Sequence, residues 1–181
     1  MAARPSPADL AAAAGGRVPD VLAPGLLVLF CGINPGLWSA AVGHHFARPG
    51  NRFWKALHLG GFTPRLLAPD EEAELLRLRL GITNLVERAS AGAADLTGEE
   101  LRAGAGRLVR KARANQPEVV AVLGVGAYRT AFARPRAAVG PQPEPIGPAR
   151  AWVLPNPSGL NAHYQLDDLA EAFAALRRSL G

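Results

Sequence analysis

Two asparagines stand where a side-chain amide could hold a water or a polar ligand. Asn34 lies in the turn Gly32-Ile33-Asn34-Pro35-Gly36, and Asn156 opens a second Asn-Pro turn, Asn156-Pro157-Ser158-Gly159-Leu160. An amide donates and accepts hydrogen bonds but has no useful basicity, so it can place a water without deprotonating it. Asn beside Pro and Gly is also a common turn residue that satisfies its own backbone. Adjacent imidazoles, His44 and His45, are metal-ligand types, yet with no third ligand nearby no metal site is expected. Ser158 lacks a Gly-x-Ser-x-Gly elbow and is not read as a nucleophile. Gly124-Val125-Gly126 lacks the third glycine and the placed acid of a dinucleotide site, and is read as a tight strand-to-helix turn.

Each Asn-Pro turn follows an apolar run, Leu26 to Cys31 and Trp152 to Leu154. Such runs, ended by Gly or Pro, are the pattern of strands covered on both faces, as parallel strands are. Ligands of open parallel sheets bind beyond the carboxyl ends of the strands, so the two turns are expected to face one cleft.

Further strands are expected at Ile82 to Val86 and Val119 to Leu123. A Gly- and His-containing loop is expected over Ala41 to Gly50, and a helix start at Asn51 to Leu57. Asp70-Glu71-Glu72 supplies acids suited to a helix amino terminus ahead of Leu75, Leu76, Leu78 and Leu80. Thr97-Gly98-Glu99-Glu100 reads as a capping box. A helix near Ala127 to Phe132 precedes a Pro-rich loop, Arg134 to Pro148, and Leu166 to Leu180 recur at helical spacing. Strands alternating with helices predict a parallel sheet between helical layers. Residues 1–17, rich in Ala, Gly and Pro, read as a flexible leader in which Ser6-Pro7 caps one short helix. Residues 18–181 read as a single domain.

The chain has 181 residues, 49% hydrophobic and 19% charged, which describes one packed globular domain. Cys31 is the only cysteine. That count excludes an internal disulfide, a four-cysteine zinc site and a four-cysteine iron–sulfur cluster. Twenty Lys and Arg against 15 Asp and Glu give a net charge of +5, which favours an anionic partner such as nucleic acid. No apolar stretch approaches a membrane span and no signal-peptide core is present, so a cytoplasmic protein is expected.

Four ordered blocks carry a resemblance. They are Gly32 to Leu37; Gly43-His44-His45-Phe46 with Pro49 to Lys55; Gly81-Ile82-Thr83-Asn84-Leu85-Val86-Glu87-Arg88; and Leu154 to Leu160. From about Val18 to the carboxyl terminus the chain resembles the mismatch-specific uracil/thymine-DNA glycosylases, the family of bacterial Mug and vertebrate thymine-DNA glycosylase. The resemblance implies a three-layer α/β/α fold with a short, mainly parallel four-stranded sheet. It implies a cofactor-independent, monofunctional enzyme, expected to be a monomer, that hydrolyses the N-glycosidic bond of uracil or thymine mispaired with guanine in double-stranded DNA. Such an enzyme flips the nucleotide into a pocket and reads it by hydrogen bonds and stacking.

By the same resemblance Asn34 positions the attacking water, and an aspartate there would be the better catalyst, so a slow enzyme is expected. Phe46 stacks on the flipped base, with backbone groups of Ile33 and Phe46 reading it. Ser39 borders the C5 side of the base, His45 bonds the base, the water or a phosphate, and His44 shapes the loop. Asn84 matches a polar residue of the vertebrate relatives. Leu160 is the wedge that fills the gap left by the flipped nucleotide, in a loop with Asn156 and Gly159. Ser158 is read as a phosphate-contacting hydroxyl. Ala162 replaces an arginine of the bacterial pattern, leaving Asn161 or His163 to probe the orphaned guanine. The competing reading is a non-catalytic binder of mismatches or abasic sites.

Overall fold

A computed structural model describes residues 3–181. Apolar runs become the strands β1 (Val28–Gly32), β2 (Leu80–Asn84), β3 (Val119–Leu123) and β5 (Arg150–Leu154), with a two-residue β4 (Gly140–Pro141). The sheet order is β2-β1-β3-β5-β4. The four long strands are parallel, and β4 runs antiparallel to β5. The sheet therefore has five strands where four were expected, and the Arg134 to Pro148 loop contains one of them. Pro141 lacks an N–H, which an edge position tolerates.

Successive side chains leave a strand on opposite faces, and both faces are covered. Phe30, Ile82, Ala121 and Leu154 join Phe53 and Leu57 of α3 (Phe53–Leu59) and Leu169, Phe173 and Leu176 of α6 (Leu166–Ser179). Leu29, Cys31, Val122 and Val153 join Leu108 and Ala112 of α4 (Gly98–Asn115) and Tyr128 of α5 (Val125–Ala131). This is the three-layer α/β/α arrangement. Phe30 is fully buried, its ring stacked 5.9 Å from Phe173 and edge-on 5.6 Å from Phe53. Burying one such side chain contributes about 1.5–3 kcal/mol.

The capping box of α4 forms as read. Thr97 Oγ1 accepts from the Glu100 N–H at 3.1 Å, and a Glu100 carboxylate oxygen accepts from the Thr97 N–H at 2.8 Å. Three other local readings change. Leu37–Val42 is a helix, α2, which ends at Gly43 in the left-handed region (φ 78) and takes two residues from the expected loop. Pro69–Leu78 is 3₁₀ rather than α, and stops at left-handed Arg79 (φ 57), before Gly81. β2 lies two residues earlier than expected.

Within the expected leader, Pro7–Ala12 forms a helix, α1, with a Ser6/Asp9 capping box. Gly15 and Gly16 exchange backbone hydrogen bonds with Ala89, at 3.0 and 2.7 Å. Arg17 pairs with Glu87 at 2.7 Å, and the Arg4 guanidinium lies 5.6 Å from the Trp38 ring centroid. Met1 and Ala2 lie outside the described residues. Among the described residues no helix is long and apolar enough to cross a membrane.

After β2 the chain crosses β1 to reach β3 on its other side, so the connections diverge between β1 and β3. The crevice of a parallel sheet opens at such a switch point. The Ile33-Asn34 turn leaves β1 there.

Candidate active site

A cavity of about 170 Å3 lies beyond the carboxyl ends of the strands, lined by both Asn-Pro turns, the His45-Phe46 loop and the segment Ser90 to Ala93. Ile33, Asn34, Ser39, His45, Phe46 and Asn84 all border it, as do Asn156, Ser158 and Leu160. Arg48 also borders it, and no Asp or Glu does among the described residues.

Asn34 is held by its nitrogen. Nδ2 donates to the Arg88 carbonyl at 3.0 Å and to Ser90 Oγ at 2.8 Å. With both amide hydrogens used, Oδ1 is the end left to accept a hydrogen bond. Arg88 is itself mounted on α4: its guanidinium donates to both oxygens of Glu100, at 2.5 and 3.0 Å, and to the Asp95 carbonyl at 3.0 Å. The Arg88 guanidinium and then the Thr97 N–H hold the Glu100 carboxyl down to about 2, so the pair stays ionised.

His45 is 2% exposed and committed on every side. Nε2 lies 2.8 Å from the Pro19 carbonyl, which only accepts, so Nε2 carries the proton. Nδ1 then accepts from Asn84 Nδ2 at 3.4 Å. The His45 N–H donates to Glu72 at 2.9 Å, and its carbonyl accepts from Trp54 Nε1 at 3.1 Å. Burial lowers the imidazole pKa, opposed by the Pro19 hydrogen bond and the Glu72 and Asp20 carboxylates. The neutral ring supports Asn84 and the loop. His44 Nδ1 meets the other Glu72 oxygen at 3.0 Å.

Asn84 ends β2 over Gly32. A Cβ at Gly32 would lie 2.6 Å from Asn84 Oδ1 and 3.2 Å from the Phe46 ring, so glycine is what lets both side chains reach the cavity. Phe46 sits at φ 52, stacks on Phe53 and leaves its other side on the cavity. Ser39 is buried, and its Oγ accepts from the Ala47 N–H at 3.1 Å, closing the loop that carries His45 and Phe46.

The second turn projects an apolar tip: Leu160 is 76% exposed, the most exposed of the large hydrophobics described. Asn156 Oδ1 accepts from the Ser158 N–H at 3.0 Å, and Ser158 Oγ from the Leu160 N–H at 3.2 Å. Asn161 spends its amide inside the loop, donating to the Asn156 carbonyl at 3.0 Å and accepting from the His163 N–H at 3.2 Å. Asn161 and His163 border a neighbouring groove rather than the cavity, and His163 is exposed. Gly159 packs so closely on the Gly50 carbonyl that a Cβ would lie 2.7 Å from it. Arg52 donates to the carbonyls of Pro157, Ser158, Asn161 and Tyr164 and so holds the loop from beneath.

Nothing in the sequence singles out Ser90, Arg48 or Arg52, and Glu72, expected as a helix-start acid, instead holds the His44-His45 segment. Arg52 and Arg48 fall in or beside a quoted block, but only tertiary structure supplies their partners. No group of three or more His, Cys, Asp or Glu side chains able to hold a metal ion occurs among the described residues.

Among solved structures, the fold is similar to the solution NMR structure of a "putative Uracil DNA glycosylase" from Methanosarcina acetivorans, at 21% identity and a TM-score of 0.61, covering 91% of this chain and 97% of that one. The family model described as the uracil DNA glycosylase superfamily matches residues 19–178. That span carries the sheet, the clamped asparagine and the Leu160 loop together, and the chain is a member of the uracil DNA glycosylase superfamily.

Proposed function

We propose that the protein is a monofunctional, mismatch-specific DNA glycosylase of the Mug and thymine-DNA glycosylase branch, hydrolysing uracil or thymine paired with guanine in duplex DNA. The observation that carries this reading is the clamped Asn34 amide in a cavity that, among the described residues, no carboxylate borders. Oδ1 accepts a hydrogen bond from the attacking water and orients it toward C1′ of the flipped nucleotide. The water oxygen bonds to C1′ as the C1′–N1 electron pair leaves with the base, and the proton lost by the water passes to the departing base or to solvent. Without a carboxylate base the rate rests on placement of water and on hydrogen bonds to the leaving group.

Phe46 stacks on the flipped base, backbone groups of Ile33 and Phe46 read its edge, and Asn84 adds a side-chain contact supported by His45. Ser39 leaves room beside C5. Leu160 fills the emptied stack, while Ser158 and Arg48 face the DNA backbone and His163 faces the unpaired guanine. The protein acts as a monomer and needs no metal or cofactor.

Single-turnover cleavage of duplexes carrying G:U, G:T, A:U or no lesion tests the reading, with Asn34→Ala as control. Cleavage of G:U that collapses in the variant supports it, and cleavage that survives Asn34→Ala overturns it. The missing carboxylate also favours a second reading, a binder of mismatches or abasic sites. Tight duplex binding with no cleavage in any lane would establish that reading instead.

A further inference from the structure

We propose that Ser90 is the positioning residue that sets the working orientation of the Asn34 carboxamide, an inference that rests on the reading of Asn34 as the water-holding group. A serine hydroxyl has one hydrogen. Here it is committed: Ser90 Oγ donates to the Gly92 carbonyl at 2.7 Å, and that carbonyl can only accept. The lone pairs of Oγ therefore face Asn34, 2.8 Å away, and call for a donor there. The Arg88 carbonyl at 3.0 Å makes the same demand. Two acceptors clamp the two hydrogens of one NH2 group, and a carboxamide turned the other way would set its oxygen against both. Ser90 thus defines a chain of fixed polarity, from Asn34 N–H to Ser90 O–H to the Gly92 carbonyl. At its far end Oδ1 remains the acceptor.

The clamp is built into the fold rather than left to a mobile loop. The Ser90 N–H donates to the Pro35 carbonyl at 3.2 Å, next to the residue that Ser90 orients, and its side chain is buried. The hydroxyl hydrogen is spent, so Ser90 is not a nucleophile.

The test uses the full-length protein with Ser90→Ala and Ser90→Thr. On a G:U duplex, Ser90→Ala is expected to slow single-turnover cleavage roughly tenfold, the scale of one lost hydrogen bond. Affinity for the abasic product duplex should stay unchanged, and Ser90→Thr should restore the rate. In an Asn34→Ala background, Ser90→Ala should add nothing, because the clamp then has nothing to hold. A wild-type rate in Ser90→Ala, or an equal loss in both backgrounds, overturns the inference and leaves the glycosylase reading standing. A second readout needs no activity. In 15N-labelled protein the Asn34 side-chain NH2 protons should exchange slowly with solvent, and more rapidly in Ser90→Ala. Equal exchange in the two proteins would refute the clamp even if neither cleaves DNA.

Discussion

Phe46 stacks on Phe53 with ring centroids 4.2 Å apart and planes inclined by 27°. One side of the Phe46 ring is thereby joined to the core beneath α3, and the other borders the cavity. Stacking of a base on a ring already held in place needs little further ordering of the side chain. Phe46→Ala should slow single-turnover G:U cleavage roughly 5- to 150-fold, since such stacking is worth about 1–3 kcal/mol. Phe46→Tyr should retain most of the rate. Full activity in Phe46→Ala would remove the ring from the site.

Arg52 offers a planar fork that an ammonium cannot copy. Arg52→Lys should leave the sheet intact while loosening residues 157–164, costing roughly 1.5–3 kcal/mol for the charged hydrogen bonds lost. Faster hydrogen exchange confined to that loop is the expected signature. Cleavage of duplex uracil should fall more than cleavage of uracil in a single strand, where no stack has to be opened. An equal fall on both substrates would separate Arg52 from the wedge.

His45 gives a pH dependence of known sign. Its folded pKa lies below the unfolded value, so on acidification the unfolded chain takes up the proton first. Stability contributed by the neutral ring is complete above the unfolded pKa of about 6.5 and is lost as pH falls from there toward the folded pKa. The slope is at most about 1.4 kcal/mol per pH unit for one proton. Denaturant midpoints between about pH 7.5 and 5 should decline, and the decline should flatten in His45→Gln. An unchanged slope in that variant would assign the titration elsewhere.

Asn34→Asp should not behave as the improved catalyst that basicity alone suggests. A carboxylate has no hydrogen for the Arg88 carbonyl, and the Ser90 hydroxyl can turn to it only by leaving Gly92. The introduced acid is therefore expected to titrate above the ordinary aspartate value of about 3.9, with activity rising with pH through that higher value. A pH–rate profile of the variant decides the matter: a flat profile above about pH 5 would mean the clamp accepts a carboxylate without strain.

Much of this molecule was legible in its sequence where one short segment carried the signal. The strands were written as apolar runs, and the α4 start as Thr97 with Glu100. α2 escaped because Gly36 gives it no capping side chain, and two of its six residues were absorbed into the expected loop. β4 has no periodicity to read, being two residues long and containing Pro141. In the site, the turns and the His45-Phe46 loop lay in the resembling blocks. The partners of Asn34 did not stand out, because Ser90 and the Arg88 carbonyl are more than fifty residues away and meet it only when β1 and β2 pair. For His45 the sequence shows no partner, because Pro19 and Asn84, which meet its two ring nitrogens, come beside it only in the folded chain.

Arg52 grips carbonyl oxygens alone, an attachment blind to the side chains of the segment it holds. Mount and tip are thus chemically independent. Leu160, Ala162 and His163 are exposed positions on a shape set by backbone and by the Asn156 and Asn161 amides. They can be exchanged without rebuilding the support, so substitutions at these three positions should leave the course of the loop unchanged.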